Sequence, residues 1–238
     1  MRARSAVGSA AGARTTSVGH RNHTRDLFDP HETGARRELL APGAWLLRGF
    51  ALPLDGALAA AVARIAATAP FRHLETRGGF RMSVAMTNCG GCGWVSDRRG
   101  YRYERCDPLT GSPWPRMPDT FQALAGSAAA EGGFPGFEPD ACLINRYVPG
   151  ARMTLHQDRD EANFTWPIVS VSLGLPAVFL LGGDNRSDKQ RRIPLQHGDV
   201  LVWGGPARLR HHGVPALQEG VHATLGALRL NLTFRRAR

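Results

Sequence analysis

What most limits the fold of this chain is a series of short apolar runs in its second half: Ala141 to Val148, Ile168 to Gly174, Ala177 to Leu181, Val200 to Trp203 and Leu228 to Phe234. They are the length of strands and too short for independent helices, and Gly, Pro or Asp punctuates the gaps between them. Strands at this spacing are best accommodated in an antiparallel double-sheet barrel or jelly roll, so the predicted class is mainly β with flanking helices. Upstream, Ala44 to Phe50 reads as another strand. Asp55 is placed to cap an alanine-rich helix that reaches about Thr68, with Leu58, Val62 and Ile65 on one face. A second helix is predicted from Pro118 or Asp119 to about Ala130. Between Pro70 and Pro118 the density of Gly, Arg and aromatic residues fits short strands and ordered loops.

These boundaries divide the chain by expectation into a basic tail over residues 1–26, an N-terminal extension over 27–117 and a β-rich core over 118–238. With 238 residues, 42% of them hydrophobic, there is enough chain for one sizeable core and not for two large domains. The formal net charge is +10, almost wholly from arginine because Lys189 is the only lysine. That balance favours a polyanionic partner, nucleic acid first, although genomic base composition accounts for arginine richness equally well.

The tail carries Arg2, Arg4, Arg14, Arg21 and Arg25 with no acidic residue before Asp26, which reads as disordered. An organelle transit peptide has the same composition, so a cytoplasmic location is the expectation with organelle targeting as the alternative. No apolar run approaches the roughly 20 residues that cross a bilayer, and no membrane partner is expected. Four cysteines do not make a disulfide framework, and Cys89-Gly-Gly-Cys92 has no second such pair to complete a zinc site.

The chemistry concentrates in His156-Gln157-Asp158, which on an extended strand sends an imidazole and a carboxylate to the same side. A second histidine would complete a facial triad, the arrangement that leaves adjacent positions on Fe(II) for a chelating co-substrate and oxygen. The candidates are His197, His211, His212 and His222. His197 falls in a turn, where it is expected to be solvated. His212 is favoured because Gly213 permits close backbone approach, while His211 would point the other way. Arg229 and Arg235 fall on one face of an alternating strand, and guanidiniums that face a barrel interior need anions. A dicarboxylate such as 2-oxoglutarate would satisfy both.

Six ordered blocks, Leu143-Ile144-Asn145-Arg146-Tyr147, Leu155 to Glu161, Pro167 to Gly174, His197 to Val200, His212-Gly213 and Asn231 to Arg235, together resemble the AlkB family of Fe(II)- and 2-oxoglutarate-dependent nucleic-acid repair dioxygenases. The likeness continues upstream through Met82 to Gly90, Gly93-Trp94, Gly100-Tyr101 and Trp114-Pro115, covering roughly residues 40 to 236. It implies a double-stranded β-helix core over 118–238 with a nucleotide-recognition lid in 27–117. It also implies that Fe(II) is held by His156, Asp158 and His212 and that 2-oxoglutarate is bound by Arg229 and Arg235, with Asn145, Tyr147 and Asn231 completing that pocket.

In the lid, the resemblance implies that Trp94 stacks on a flipped base, with Tyr101 or Tyr103 near the phosphates. Met86 and Asp160 would line the base pocket, and Arg186 a substrate-side loop. The implied reaction uses oxygen to hydroxylate an N-methyl group on a base, and releases succinate, carbon dioxide and formaldehyde. The implied substrate is alkylated DNA, single-stranded by preference, with RNA left open, and the implied state is a monomer. A hydroxylase of the same fold acting on protein or a small metabolite is the alternative, since metal and co-substrate residues do not specify the substrate.

Overall fold

A computed structural model describes residues 36–238, so the expected basic tail over 1–26 lies outside the described residues. The elements in chain order are β1 (Arg37–Ala41), β2 (Ala44–Leu47), α1 (Asp55–Thr68), β3 (Arg72–Glu75), β4 (Arg81–Gly90), β5 (Gly93–Asp97), β6 (Gly100–Glu104) and α2 (Asp119–Glu131). There follow β7 (Ala141–Tyr147), β8 (Met153–His156), β9 (Ile168–Gly174), β10 (Ala177–Leu181), β11 (Arg191–Leu195), β12 (Val200–Trp203), β13 (His212–Val214) and β14 (Arg229–Arg235).

Eight strands form a major antiparallel sheet in the order β1-β2-β12-β9-β14-β7-β4-β3, and four form a minor one, β11-β10-β13-β8. β5 and β6 make a separate hairpin. The first four strands of the extension complete the major sheet on both of its edges, and the described residues fall within one compact unit. No break at residue 117 separates two bodies among the described residues.

The five apolar runs correspond to β7, β9, β10, β12 and β14. Their period of two explains the layering. Ile144, Val169, Val171, Leu230, Leu232 and Phe234 point to one side, where they meet Leu58, Val62 and Ile65 of α1 and Phe121 and Leu124 of α2. Leu143, Tyr147, Ile168, Leu201 and Trp203 point to the other and pack on Phe179, Leu181, Ile193 and Leu195 of the minor sheet. With both faces covered, β9 and β14 are buried at every residue. The same alternation leaves Ser170, Ser172, Asn145, Arg229, Asn231, Thr233 and Arg235 facing the space between the sheets.

Helix α1 buries Leu58, Ala61, Val62 and Ile65 at helical spacing and stops at Thr68, before Pro70, which cannot continue it. Asp55 does not cap the helix as expected. Leu54 occupies the cap position, and the Asp55 carboxylate in the first turn instead receives the Gly56 N–H and lies 2.9 Å from His197 Nε2. The other ring nitrogen of His197 accepts the Gly174 N–H at 2.9 Å. His197 is therefore a pin between α1 and β9 and not the solvated turn residue its sequence position suggests. Its Nε2 carries the proton, because Nδ1 is accepting.

Phe121 and Phe234 meet edge to face at 5.7 Å with no exposed surface, so the helix layer is keyed to β14 through them. Phe121→Ala is expected to lower the unfolding free energy by about 3–5 kcal/mol. Urea denaturation checks this, through a lower midpoint at unchanged slope.

Candidate active site

β8 and β13 lie side by side with His156 directly opposite His212, and the ring centroids are 4.4 Å apart. The approach depends on Gly213, where a Cβ would stand 2.8 Å from the Met153 carbonyl oxygen. Asp158 arrives differently from the expectation. β8 ends at His156, so the carboxylate comes from the irregular segment beyond the strand and not from an extended one. Its Oδ1 is 3.6 Å from His156 Nε2 and its Oδ2 3.6 Å from His212 Nε2. The three donor atoms lie within 4.8 Å of one another, which makes this a group able to hold a metal ion.

Backbone carbonyls set the tautomers. His156 Nδ1 is 2.9 Å from the Thr154 oxygen and His212 Nδ1 3.0 Å from the Arg210 oxygen. A carbonyl can only accept, so both Nδ1 atoms carry hydrogen, and in the neutral rings it is the Nε2 lone pairs that are turned toward Asp158. The other candidates are not in this group: His211 Nδ1 lies 3.4 Å from the Gly183 oxygen, and the His222 ring lies tilted against His197 with centroids 4.3 Å apart.

Burial alone would raise the Asp158 carboxyl, but the Arg235 guanidinium 2.6 Å away and the two imidazoles hold it well below the usual carboxylate range. Burial likewise pushes His156 down, and the hydrogen bond and charge of Asp158 outweigh it and leave His156 raised. Burial, reinforced by the neighbouring His156, lowers His212.

On the far side, β14 runs between β7 and β9, pairing Arg229 with Tyr147 and Asn231 with Asn145. Arg229 is 1% exposed and its carbon lies 5.0 Å from the centre of the Tyr147 ring. Its Nη2 donates to Ser172 Oγ at 3.0 Å, while among the described residues Nε and Nη1 find no partner. Burial lowers its pKa, against the smaller opposing effect of the neighbouring Tyr147. Asn145 Nδ2 donates to Asn231 Oδ1 at 3.2 Å, Asn231 Nδ2 donates to Ser170 Oγ at 2.7 Å, and the Asn145 oxygen is also unpartnered. A buried cation with two unmet donors, beside a three-donor metal site, fits a bound carboxylate.

The two arginines, both expected to face one co-substrate, line the same cavity but are not equivalent. Arg235 already has protein anions, with Asp158 at 2.6 Å and Glu161 at 3.2 Å.

A cavity of about 700 Å³ joins Arg229 and Asn231 to the metal-ligating group and opens past Trp94, Tyr101 and Asp160. Trp94 stacks on Tyr101 with centroids 5.6 Å apart, and its Nε1 donates to Asp160 Oδ2 at 2.8 Å. Met86 lines the cavity from β4, and Arg186 does so from the loop before β11, donating to the Leu155 oxygen at 2.6 Å. Tyr103 does not line it. Its hydroxyl donates to Glu161 Oε1 at 2.8 Å, so of the two tyrosines expected near the phosphates, Tyr101 is the one at the cavity. Ser170, Ser172, Glu161 and Arg208 escaped the sequence reading. The two serines carried a signal, polar residues two apart in an otherwise apolar strand.

The profile of the 2OG-Fe(II) oxygenase superfamily matches residues 43–235. The alpha-ketoglutarate-dependent dioxygenase AlkB of Salmonella typhimurium is 53% identical over 201 residues, which is 84% of this chain and 93% of that one. The chain belongs to the AlkB dioxygenases of this superfamily. A DNA N(6)-methyladenine demethylase of Arabidopsis thaliana, ALKBH1C, is 36% identical over 173 residues, 62% of this chain and 38% of its own. The solved structure of OsALKBH1 superposes with a TM-score of 0.75 at 29% identity, covering 84% of this chain and 100% of that one.

As an AlkB dioxygenase the protein is an enzyme that uses Fe(II), 2-oxoglutarate and oxygen. Its unmet Arg229 donors and paired Nε2 atoms suit the two bound components.

For the dioxygenase, His156→Ala, Asp158→Ala and His212→Ala are each expected to weaken divalent-metal binding by at least about tenfold, the scale at which even outer partners act, and His211→Ala much less. Titration of metal-free protein checks this, and a larger loss in the His211 variant would unseat His212. Because a metal must displace the His156 proton and that pKa is raised, affinity is expected to begin falling on the alkaline side of the ordinary imidazole range as pH is lowered. It should fall further where His212 protonates. A flat pH profile would remove His156 from the site.

Proposed function

We propose that this dioxygenase repairs nucleic acid by removing alkyl groups from N-alkylated bases of the 1-methyladenine and 3-methylcytosine type. DNA is the preferred substrate and single strands are favoured over duplex. The position of Asp160 carries this reading: its carboxylate faces the same cavity as the metal-ligating group and is tied to the Trp94 indole. Such lesions are cations near neutral pH, and a carboxylate in a partly dry pocket favours them over the uncharged normal base. Trp94 and Tyr101 offer aromatic surface to a base taken out of its stack, and a single strand avoids the cost of unpairing. Arg81, Arg152, Arg159 and Arg186 rim the cavity, exposed and without ion pairs among the described residues, in the position to meet phosphates.

With oxygen and 2-oxoglutarate, iron supplies the oxidising power that hydroxylates the N-methyl group, and succinate and carbon dioxide are the co-products. The chain supplies orientation. His156, Asp158 and His212 would hold the iron through two imidazoles and a carboxylate, a set of three protein donors that leaves coordination positions for co-substrate and oxygen. Arg229 takes the distal carboxylate of 2-oxoglutarate through its unmet N–H groups, beside Tyr147, and Asn145 and Asn231 complete the polar wall. The hydroxylated methyl group leaves as formaldehyde without a protein nucleophile.

Anaerobic reconstitution with Fe(II) and 2-oxoglutarate, followed by oxygen and a methylated oligonucleotide, is expected to yield formaldehyde and repaired base in equal amounts. Succinate without repaired base would transfer the site to a hydroxylase of protein or a small metabolite. Arg229→Gln should raise the 2-oxoglutarate requirement more than it alters oligonucleotide binding, and an unchanged co-substrate titration would remove Arg229 from the pocket. Trp94→Ala should weaken capture of the methylated strand by about 1–3 kcal/mol and spare uncoupled 2-oxoglutarate turnover. Normal capture by that variant would take recognition away from the hairpin.

A further inference from the structure

The β5–β6 hairpin touches the segment beyond β8 at two successive residues. Trp94 and Tyr103 are direct cross-strand partners in the hairpin. The indole of the first reaches Asp160, and the phenol of the second donates to Glu161 Oε1. Glu161 does not line the cavity. Its side chain is 2% exposed and stands between two guanidiniums, with Arg208 Nη2 3.0 Å from Oε2 and Arg235 Nε 3.2 Å from Oε1.

Neither of those ion pairs is aligned as a hydrogen bond, for among the described residues Oε2 and the Arg235 Nε are both without a hydrogen-bond partner. The two guanidiniums attract Glu161 by charge. Among the described residues the Tyr103 hydroxyl is the donor aligned on it as a hydrogen bond. From Glu161 the chain of contacts continues inward, since Nη2 of the same Arg235 guanidinium donates to Asp158 Oδ2 at 2.6 Å. Arg208 braces the same segment by donating to the backbone oxygens of Asp158 at 2.7 Å and Trp166 at 3.2 Å.

Asp158 has to serve a guanidinium and a metal dication with one carboxylate. Where Arg235 stands therefore decides how much of that carboxylate the metal receives, and Glu161 is the other anion that decides where Arg235 stands. We propose that Tyr103 and Glu161 are positioning residues of the metal centre, the phenol fixing Glu161, Glu161 fixing Arg235, and Arg235 setting the presentation of Asp158. The recognition hairpin and the metal carboxylate are by this route one mechanical unit. The proposal rests on the metal assignment made above and is independent of the identity of the substrate.

Titration of the metal-free protein with Co(II), followed by its d–d absorption, tests it without turnover. Tyr103→Phe keeps the ring and removes only the hydroxyl; Co(II) affinity is expected to fall by about tenfold, the lower end of the range for outer partners of a metal ligand, with a shifted band. Glu161→Gln is expected to lose at least as much. A Tyr103→Phe variant that melts earlier and yet binds Co(II) with wild-type affinity and spectrum would show the phenol to be structural and overturn the link to the hairpin. Wild-type affinity in both variants overturns the positioning role altogether. If Glu161→Gln does not fold, Tyr103→Phe decides alone. Failure of the wild-type protein to bind Co(II) would instead sink the metal assignment.

Discussion

Taking a guanidinium out of water without a counter-ion costs several kcal/mol even after the surroundings relax, and Arg229 is such a group. Only a scaffold that over-determines its position can keep it there. β14 does so by pairing on both sides along its length, with β7 and with β9, and by anchoring its alternate residues under α1 and α2. The apolar half of the strand holds, and the polar half works. Every partner of Arg229 that matters, Ser172 beside it and Tyr147 beneath it, is delivered by a neighbouring strand of the same sheet.

The histidine pair His156 and His212 belongs to the minor sheet, so the site is assembled across the gap between two layers. The major sheet contributes the arginines and asparagines, and β8 and β13 contribute the imidazoles. Asp158 and Arg235 join the two sets at 2.6 Å. A buried pair of this kind is weak evidence for stability, since desolvation cancels much of the attraction, and a substrate-binding gap is a place where specificity of geometry matters more than its energetic contribution.

Much of this was legible in the sequence because it follows from period and spacing. Runs such as Ile168 to Gly174 announced strands, the alternation of Arg229, Asn231 and Arg235 announced an inward polar face, and Gly213 beside His212 announced a close approach. What could not be read depends on partners brought from far along the chain. Nothing local distinguishes a solvated His197 from one pinned between Asp55 and Gly174, or a Tyr103 aimed at phosphates from one aimed at Glu161. The short strands β8, β11 and β13 lack enough residues to show a period, and β11 contains Pro194. Asp158 acts from beyond a strand end, where spacing rules do not apply.

The strict two-sidedness of β14 has a consequence for how the chain finds this arrangement. A slip of one residue in its pairing would drive Arg229 and Arg235 into the helix layer and bring Leu230, Leu232 and Phe234 into the polar gap. Both errors are penalised together, by stranded charge on one side and lost apolar burial on the other. Misregistered intermediates are thereby proofread during folding by the same side chains that later bind. A strand asked to serve a core and a pocket at once is harder to evolve but easier to fold without mistakes.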